Sequence, residues 1–428
     1  MKFTAAGDAL IQQRIPKEYE GFARIRDFIH QGDARFFNLE TTLNNEGECF
    51  ASQFSGGTYL RADPKVLDDL LEYGFNMTSF NNNHSMDFSY DGLLKTKEYI
   101  EKSGLVQSGV GNNIDEASAP NYLETVNGRA ALISVNITFE PSMMAGKQAR
   151  RVKGRPGING LRYTQTQIVS QKDFDVIKRV SVETGINAEI LNDIADGYLP
   201  AWPDGFCYMG NLRFAVGEKS GLVNELNDED MARIEKAIFD AELQADYVIV
   251  SFHTHEMAGD NLENIPDFIE EFCHKCIDCG AHAVIGHGPH LLRAIEVYKE
   301  RPIFYSLGDF ILQLYSVAFG PEDFYDKYGL TSDAGIHNLL KIRSKNFNIG
   351  LMERSIMQES IIPYWEMQDG KLTKLELLPI TCYKNKNKSV SGLPIPTEET
   401  VIFERLSALS RPFGVKMEMT DGIIRCSW

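Results

Sequence analysis

Six short stretches of this sequence each bring an apolar run to a side chain of a kind that binds metal ions. FTAAGDAL carries Asp8 and ARFFNLE carries Glu40. NMTSFNNNHSMD carries Asn83, His84 and Asp87, and YVIVSFHTHE carries His253, His255 and Glu256. AVIGHGPH carries His287 and His290, and YSLGDF carries Asp309. Five of the nine histidines fall in these places, too many to read each as an isolated structural residue. Carboxylate, amide and imidazole donors together suit a borderline divalent cation, with Mn, Fe and Zn as the candidates. A carboxylate shared by two ions about 3.5–4 Å apart is a standard device for hydrolysing phosphate esters, and a neighbouring histidine can protonate the leaving group. Taken one at a time, Gly7-Asp8 and Asn81–Asn83 read as turn residues. Taken as an ordered set, they point to one metal site holding one or two ions.

The elements that must present these residues follow from hydrophobic spacing. The first 140 residues alternate strand and helix, which implies an α/β layer structure. Strands are expected over 2–6, 34–40, 76–84 (with a polar end) and 129–138. Helices are expected over 17–31, over 63–74 with Asp63 as cap and Pro64 in the first turn, and over 90–103 with Gly104 as stop. Residues 140–225, rich in Gly, Arg, Met and aromatics, break the rhythm and read as an insertion over the site. After it come a helix at 228–244, a buried strand over 245–256, and a helix carrying Cys273 and Cys276 on one face. RPIFYSLGDFIL is expected to be a single strand. Residues 313–350 read as a mobile aromatic and acidic stretch, and the tail reads as a hairpin turning at Asp369-Gly370.

Composition narrows the function. The net charge is −17, so a nucleic-acid partner lacks its basic footprint; the one basic cluster, KQARRVKGR, is short. No run approaches the roughly 20 apolar residues of a membrane helix. A candidate ligand at position 8 leaves no space for a cleaved leader, so a cytoplasmic location is expected. Seven cysteines, an odd number, argue against a disulfide framework.

GD, NLE, NNHxxD, HxHE, GHGPH and YSLGDF, in this order over residues 2–312, resemble the bacterial capsule-synthesis CapA family, the poly-γ-glutamate synthesis proteins. That family looks like a branch of the calcineurin-like metallophosphoesterases. The resemblance implies a four-layer α-β-β-α sandwich of the metallo-dependent phosphatase type with an inserted lid-like segment. It implies a CapA-type domain over 1–345, with residues 346–428 packing on the same domain. By carry-over, Asp8 and His290 bind a first ion, Glu40 bridges both, and Asn83, His253 and His287 hold the second. His84 is the acid near the leaving group, and Asp87, His255 and Glu256 complete the catalytic set.

Three departures from the family pattern stand out. Leu10 occupies the place of the usual Asp-x-His histidine, the closing histidines are three apart rather than two, and Asp309 stands where asparagine is usual. No counterpart of the family's membrane anchor is expected. The expected activity is hydrolysis of a phosphoester or a γ-glutamyl-type amide in a small-molecule or peptide substrate. Two alternatives are an epimerase using the same site for Cα proton transfer through His84, His255 or Glu256, and a non-catalytic scaffold in polymer synthesis.

Overall fold

In the computed structural model, which describes residues 1–383 and 385–428, two sheets meet face to face behind the predicted ligands. The first is ten-stranded and centred on β1 (Lys2–Leu10). Strand β1 runs parallel to β2 (Ala34–Leu39), which leads in turn to β3 (Met77–Ser79) and β4 (Val106–Ser108). The second sheet is six-stranded, and its middle strands β5 (Gly128–Asn136), β6 (Tyr247–His253), β7 (Ala283–His287) and β8 (Arg301–Phe304) are all parallel. Parallel strands put their carboxyl ends at one edge, where α/β proteins place ligands.

The strands are almost wholly apolar because both faces are covered. Phe3, Ala5, Phe36 and Met77 of the first sheet share one core with Leu132, Ile249, Ile285 and Phe304 of the second. On the outer face of the first sheet lie α1 (Phe22–Ile29), α2 (Val66–Glu72) and α3 (Ser89–Ser103), which bury Ile25, Leu70, Leu93 and Ile100 beside Phe37 and Leu39. Against the second sheet, α4 (Asp267–Asp278) sets Phe272 edge-on to Phe252, with ring centroids 5.7 Å apart. Cys273 and Cys276 are buried on this helix, and all seven cysteines are free.

Several expected elements change on folding. Strand β1 continues through Asp8 to Leu10 instead of stopping at Gly7. The helix expected over 17–31 forms only from Phe22, after Gly21 at φ 91°. The helix after Asp63 begins at Val66, although Asp63 still accepts the Lys65 N–H through its side chain. RPIFYSLGDFIL is not one strand. It gives β8 to the second sheet, crosses, and gives β9 (Asp309–Leu312) to the first, where β9 pairs parallel with β1. Gly308 makes the crossing at φ 75°, a backbone conformation glycine adopts without steric cost. Residues 313–350 are not an irregular stretch. They contain the helices Glu322–Asp326 and α5 (Ile336–Arg343), whose Phe324, Leu339 and Leu340 join Leu10 in a separate apolar cluster.

The tail forms β10 (Glu359–Gln368) and β11 (Lys371–Thr381), which turn at Asp369-Gly370 with both residues at positive φ. Strand β10 pairs antiparallel with the start of β1. The chain divides into two compact units, Met1–Gly160 with Ala232–Trp428, and Leu161–Met231. The second unit has its own four-stranded sheet, in which Tyr163–Val169 pairs antiparallel with Gly221–Leu226.

Candidate metal centre

Strand register brings most of the ligand types together before any side chain turns. In the first sheet Asp8 stands opposite Asn38 on one side and Asp309 on the other. In the second, His253 stands between Asn136 and His287. Glu40 follows β2 directly, and its N–H donates to Ala9. The close fit of β1 against the crossing segment fixes Asp8. A Cβ on Gly7 would come within 1.8 Å of the Gly308 carbonyl oxygen, and the Asp8 N–H donates to that same oxygen at 3.2 Å.

The residues converge as three overlapping groups, in each of which the ligand atoms lie within 4.8 Å of one another. They are Asp8 with His253 and His287; Glu40 with His253 and His255; and Asp8, Glu40, His290 and Asp309. Glu40 Oε1 sits 3.8 Å from both His253 Nε2 and His290 Nε2, and 3.9 Å from His84 Nε2. Asp8 Oδ1 is 3.5 Å from His287 Nδ1 and 3.9 Å from His253 Nδ1. Those two imidazoles face each other Nδ1 to Nδ1 at 2.9 Å, and His287 Nε2 meets Ser251 Oγ at 2.7 Å. Asp8 accepts hydrogen bonds from Asn38 and from the Gly288 N–H. His290 is held in the left-handed region at φ 57°, uncommon outside glycine. Its Nδ1 lies 2.8 Å from Asp309 Oδ1.

The NNNH segment separates into supporting and site-facing residues. Asn81 donates to the Ser134 and Asn159 carbonyls, tying the two sheets together. Asn82 donates to Leu39 and accepts the His84 N–H. Asn83 donates to Gly56, while its Oδ1 is buried with no hydrogen-bond partner among the described residues. His84 Nδ1 is 2.7 Å from Asp87 Oδ2, and Asp87 also accepts the Gly56 and Leu60 N–H groups. Glu256 accepts from Thr138 Oγ1, and Thr138 Oγ1 in turn accepts the His255 N–H.

Asp8, Glu40 and Asp309 are fully buried, and neither Glu40 oxygen nor Asp309 Oδ2 has a donor among the described residues. Burial pushes the Asp8 carboxyl up to about 7 and raises Glu40 and Asp309 as well. Burial also resists charging His290, but Asp309, Glu40 and Asp8 outweigh it and raise that imidazole to about 10. His287 is lowered to about 3 by burial, and His253 and His255 are lowered by burial and by the neighbouring imidazoles. Ionised carboxylates without donors cost on the order of several kcal/mol each in an interior. Neutral imidazoles beside them are in the state that ligates metal. The donor set therefore fits a divalent cation, and a cation relieves the cost that the protein alone leaves standing.

Sequence reasoning left the place of Asp309 open and passed over Ser251, Asn38 and Thr138. The place of Asp309 beside Asp8 follows from pairing β9 with β1, and the crossing at Gly308 hides that pairing from the sequence. Leu10 does not face the cluster as a ligand. It is buried in the apolar group with Leu340 and Met352.

Residues 2–314 match the family model described as "Bacterial capsule synthesis protein PGA_cap". The protein named "Uncharacterized protein y4sH" from Sinorhizobium fredii is 30% identical over 98% of this chain and 92% of its own. "Capsule biosynthesis protein CapA" of Bacillus anthracis is 36% identical over 68% of this chain and 53% of its own. "PGA biosynthesis protein CapA" of Bacillus subtilis is 24% identical over 74% and 65%.

Proposed function

Because the chain belongs to the bacterial capsule synthesis PGA_cap family, we propose that it is a metal-dependent hydrolase acting on a phosphoester or a γ-glutamyl-type amide. The observation that carries this reading is Glu40, a buried carboxylate with no hydrogen-bond donor that lies 3.8–3.9 Å from the imidazoles of His84, His253 and His290. In this reading the two sheets and their flanking helices form the four-layer α-β-β-α sandwich of metallo-dependent phosphatases. Asp8, Glu40, His290 and Asp309 would hold one ion, and Glu40, Asn83, His253 and His287 a second. The cation, when bound, supplies Lewis acidity and a nucleophilic water at neutral pH.

The chain's own residues do the rest. Asp8 is fixed by Asn38 and Gly288 so that its carboxylate need not reorganise. His84, oriented through Nδ1 by Asp87, presents Nε2 toward Glu40 and can hand a proton to the leaving group. His255 and Glu256, braced on Thr138, stand at the half-buried margin where a substrate would enter.

The test is metal content and turnover of Asp8→Ala and His253→Ala, with circular dichroism to verify the fold. Each variant is expected to lose bound metal and more than about 100-fold in rate, exceeding the roughly 10–100-fold typical when only a ligand's supporting partner is removed. Full activity in both variants would overturn the reading. Deuterium entering the substrate from D₂O without cleavage would assign the site to epimerisation instead.

A further inference from the structure

A cavity of about 270 Å³ opens on the metal centre, with His84 and His290 in its wall. The remainder of the wall has a different chemistry. Leu10, Leu314, Leu340, Ile349, Leu351 and Met352 make it largely apolar, and one permanently charged group, Arg343, stands in it. About half of this wall comes from residues 340–352, beyond the family-matched residues 2–314. Leu10, at the place of the expected histidine, supplies apolar surface two residues after the candidate ligand Asp8.

The cavity and the metal centre are mechanically joined. Gly56 donates to Asp87 and accepts from Asn83. Two residues on, Thr58 Oγ1 accepts from Arg343 Nη1 at 2.5 Å. Arg343 is an exposed residue and forms no ion pair among the described residues. An anchored guanidinium without a carboxylate partner, set in an apolar wall, is a ready site for one ligand anion. The volume lies just below the roughly 300–1,000 Å³ of ordinary small-molecule pockets, so it suits a compact molecule.

We propose that this cavity binds a small amphiphilic carboxylate, the apolar side chain of an acylated amino acid lying on Leu10, Leu340, Ile349 and Met352 and its carboxylate on Arg343. Its amide bond then falls beside His84 and His290. This rests on the hydrolase reading for the bond that reacts and deepens it, favouring an amide over a phosphoester and an apolar residue over glutamate. A neighbouring cavity shares Tyr315 and Met352 and carries Lys386 and Lys388, so a ligand with a second anion has a competing place to land and must be compared directly.

The experiment is isothermal titration calorimetry of the full metal-loaded chain with N-acetyl-L-leucine, N-acetyl-L-leucinamide and N-acetyl-L-glutamate. The leucine carboxylate is expected to bind at least about tenfold more tightly than either of the others, as one charge-assisted contact and one buried side chain require. Arg343→Gln should bring it to the level of the amide. Ile349→Asn, at an exposed position that carries little folding risk, should weaken both leucine compounds alike. No measurable binding, equal or tighter binding of N-acetyl-L-glutamate, or unchanged affinity in Arg343→Gln overturns the proposal. Since no turnover is read, the two readings fail separately. Intact binding ratios with a catalytically unimportant Asp8 would sink the hydrolase alone, and lost ratios with Asp8-dependent turnover would sink this assignment alone.

Discussion

Glu40 shows how far a single residue departs from what folding alone would select. It is fully buried, no donor among the described residues meets either oxygen, and its carboxyl is raised by burial and then by Asp8. A group whose folded pKa lies above its unfolded value near 4.5 favours the fold at low pH, and that contribution is lost as pH rises through the raised value. In metal-free protein, Glu40→Gln should therefore match the wild type below about pH 4.5 and become more stable than it as pH rises. The gap should reach about 1–3 kcal/mol, the scale of an unsatisfied buried polar group. Urea unfolding in the presence of chelator, repeated across pH, measures this. With metal present the order should reverse, because ligand binding to the native state stabilises only a chain that can bind. A wild type that is the more stable of the two without metal at neutral pH would mean that Glu40 has a partner the geometry does not reveal.

At the scale of elements, the site depends on β1 and β9 lying tightly together where the chain crosses from one sheet to the other. Gly7 is the contact point. Any Cβ there meets the Gly308 carbonyl oxygen at 1.8 Å, a backbone atom that cannot step aside. Gly7→Ala must part the two strands, and Asp8 is paired with Asp309 in that register. The expected outcome is a loss of about 1–3 kcal/mol in stability, the usual range for overpacking, together with weakened metal binding, although the new methyl touches no ligand. Thermal unfolding and metal titration of the same preparation check both. A Gly7→Ala chain that binds metal as the wild type does would mean that the Asp8–Asp309 register is unimportant to the site. On the other side of Asp8, Gly288 holds φ 117° and donates its N–H to Asp8, so a second element fixes the same carboxylate by its backbone.

For the whole molecule, the division into two units separates ligand supply from the insertion. Every candidate ligand belongs to the unit formed by Met1–Gly160 and Ala232–Trp428. Close to its two ends the Leu161–Met231 unit has strands that pair with each other, Tyr163 opposite Leu226, so the residues between them leave and return at one place. Replacing 164–225 by a short Gly-Ser turn should leave metal content and the unfolding midpoint of the remaining unit within experimental error of the full chain. Metal analysis and calorimetry test this, and loss of metal would show that the insertion contributes to the site. No helix among the described residues is long and apolar enough to cross a membrane.

The sequence by itself determined the donor types and the elements that carry them. Glu40, His253 and His287 each sit at or just beyond the carboxyl end of an apolar strand and Asp8 two residues before the end of one, and both the strand pattern and the polar residue near its end are local properties of a few residues. For the same reason α3, with its stop at Gly104, and the Asp369-Gly370 hairpin were legible in advance. The tertiary structure alone decided which of these groups face one another. Asp309 joins the cluster because β9 crosses to the first sheet and pairs with β1, a contact between residues some three hundred positions apart. Leu10 became pocket wall, and residues 313–350 became ordered, only because a separate apolar cluster forms between them. Those outcomes depend on strand register and on burial shared between distant segments, and neither is encoded within reach of a local pattern.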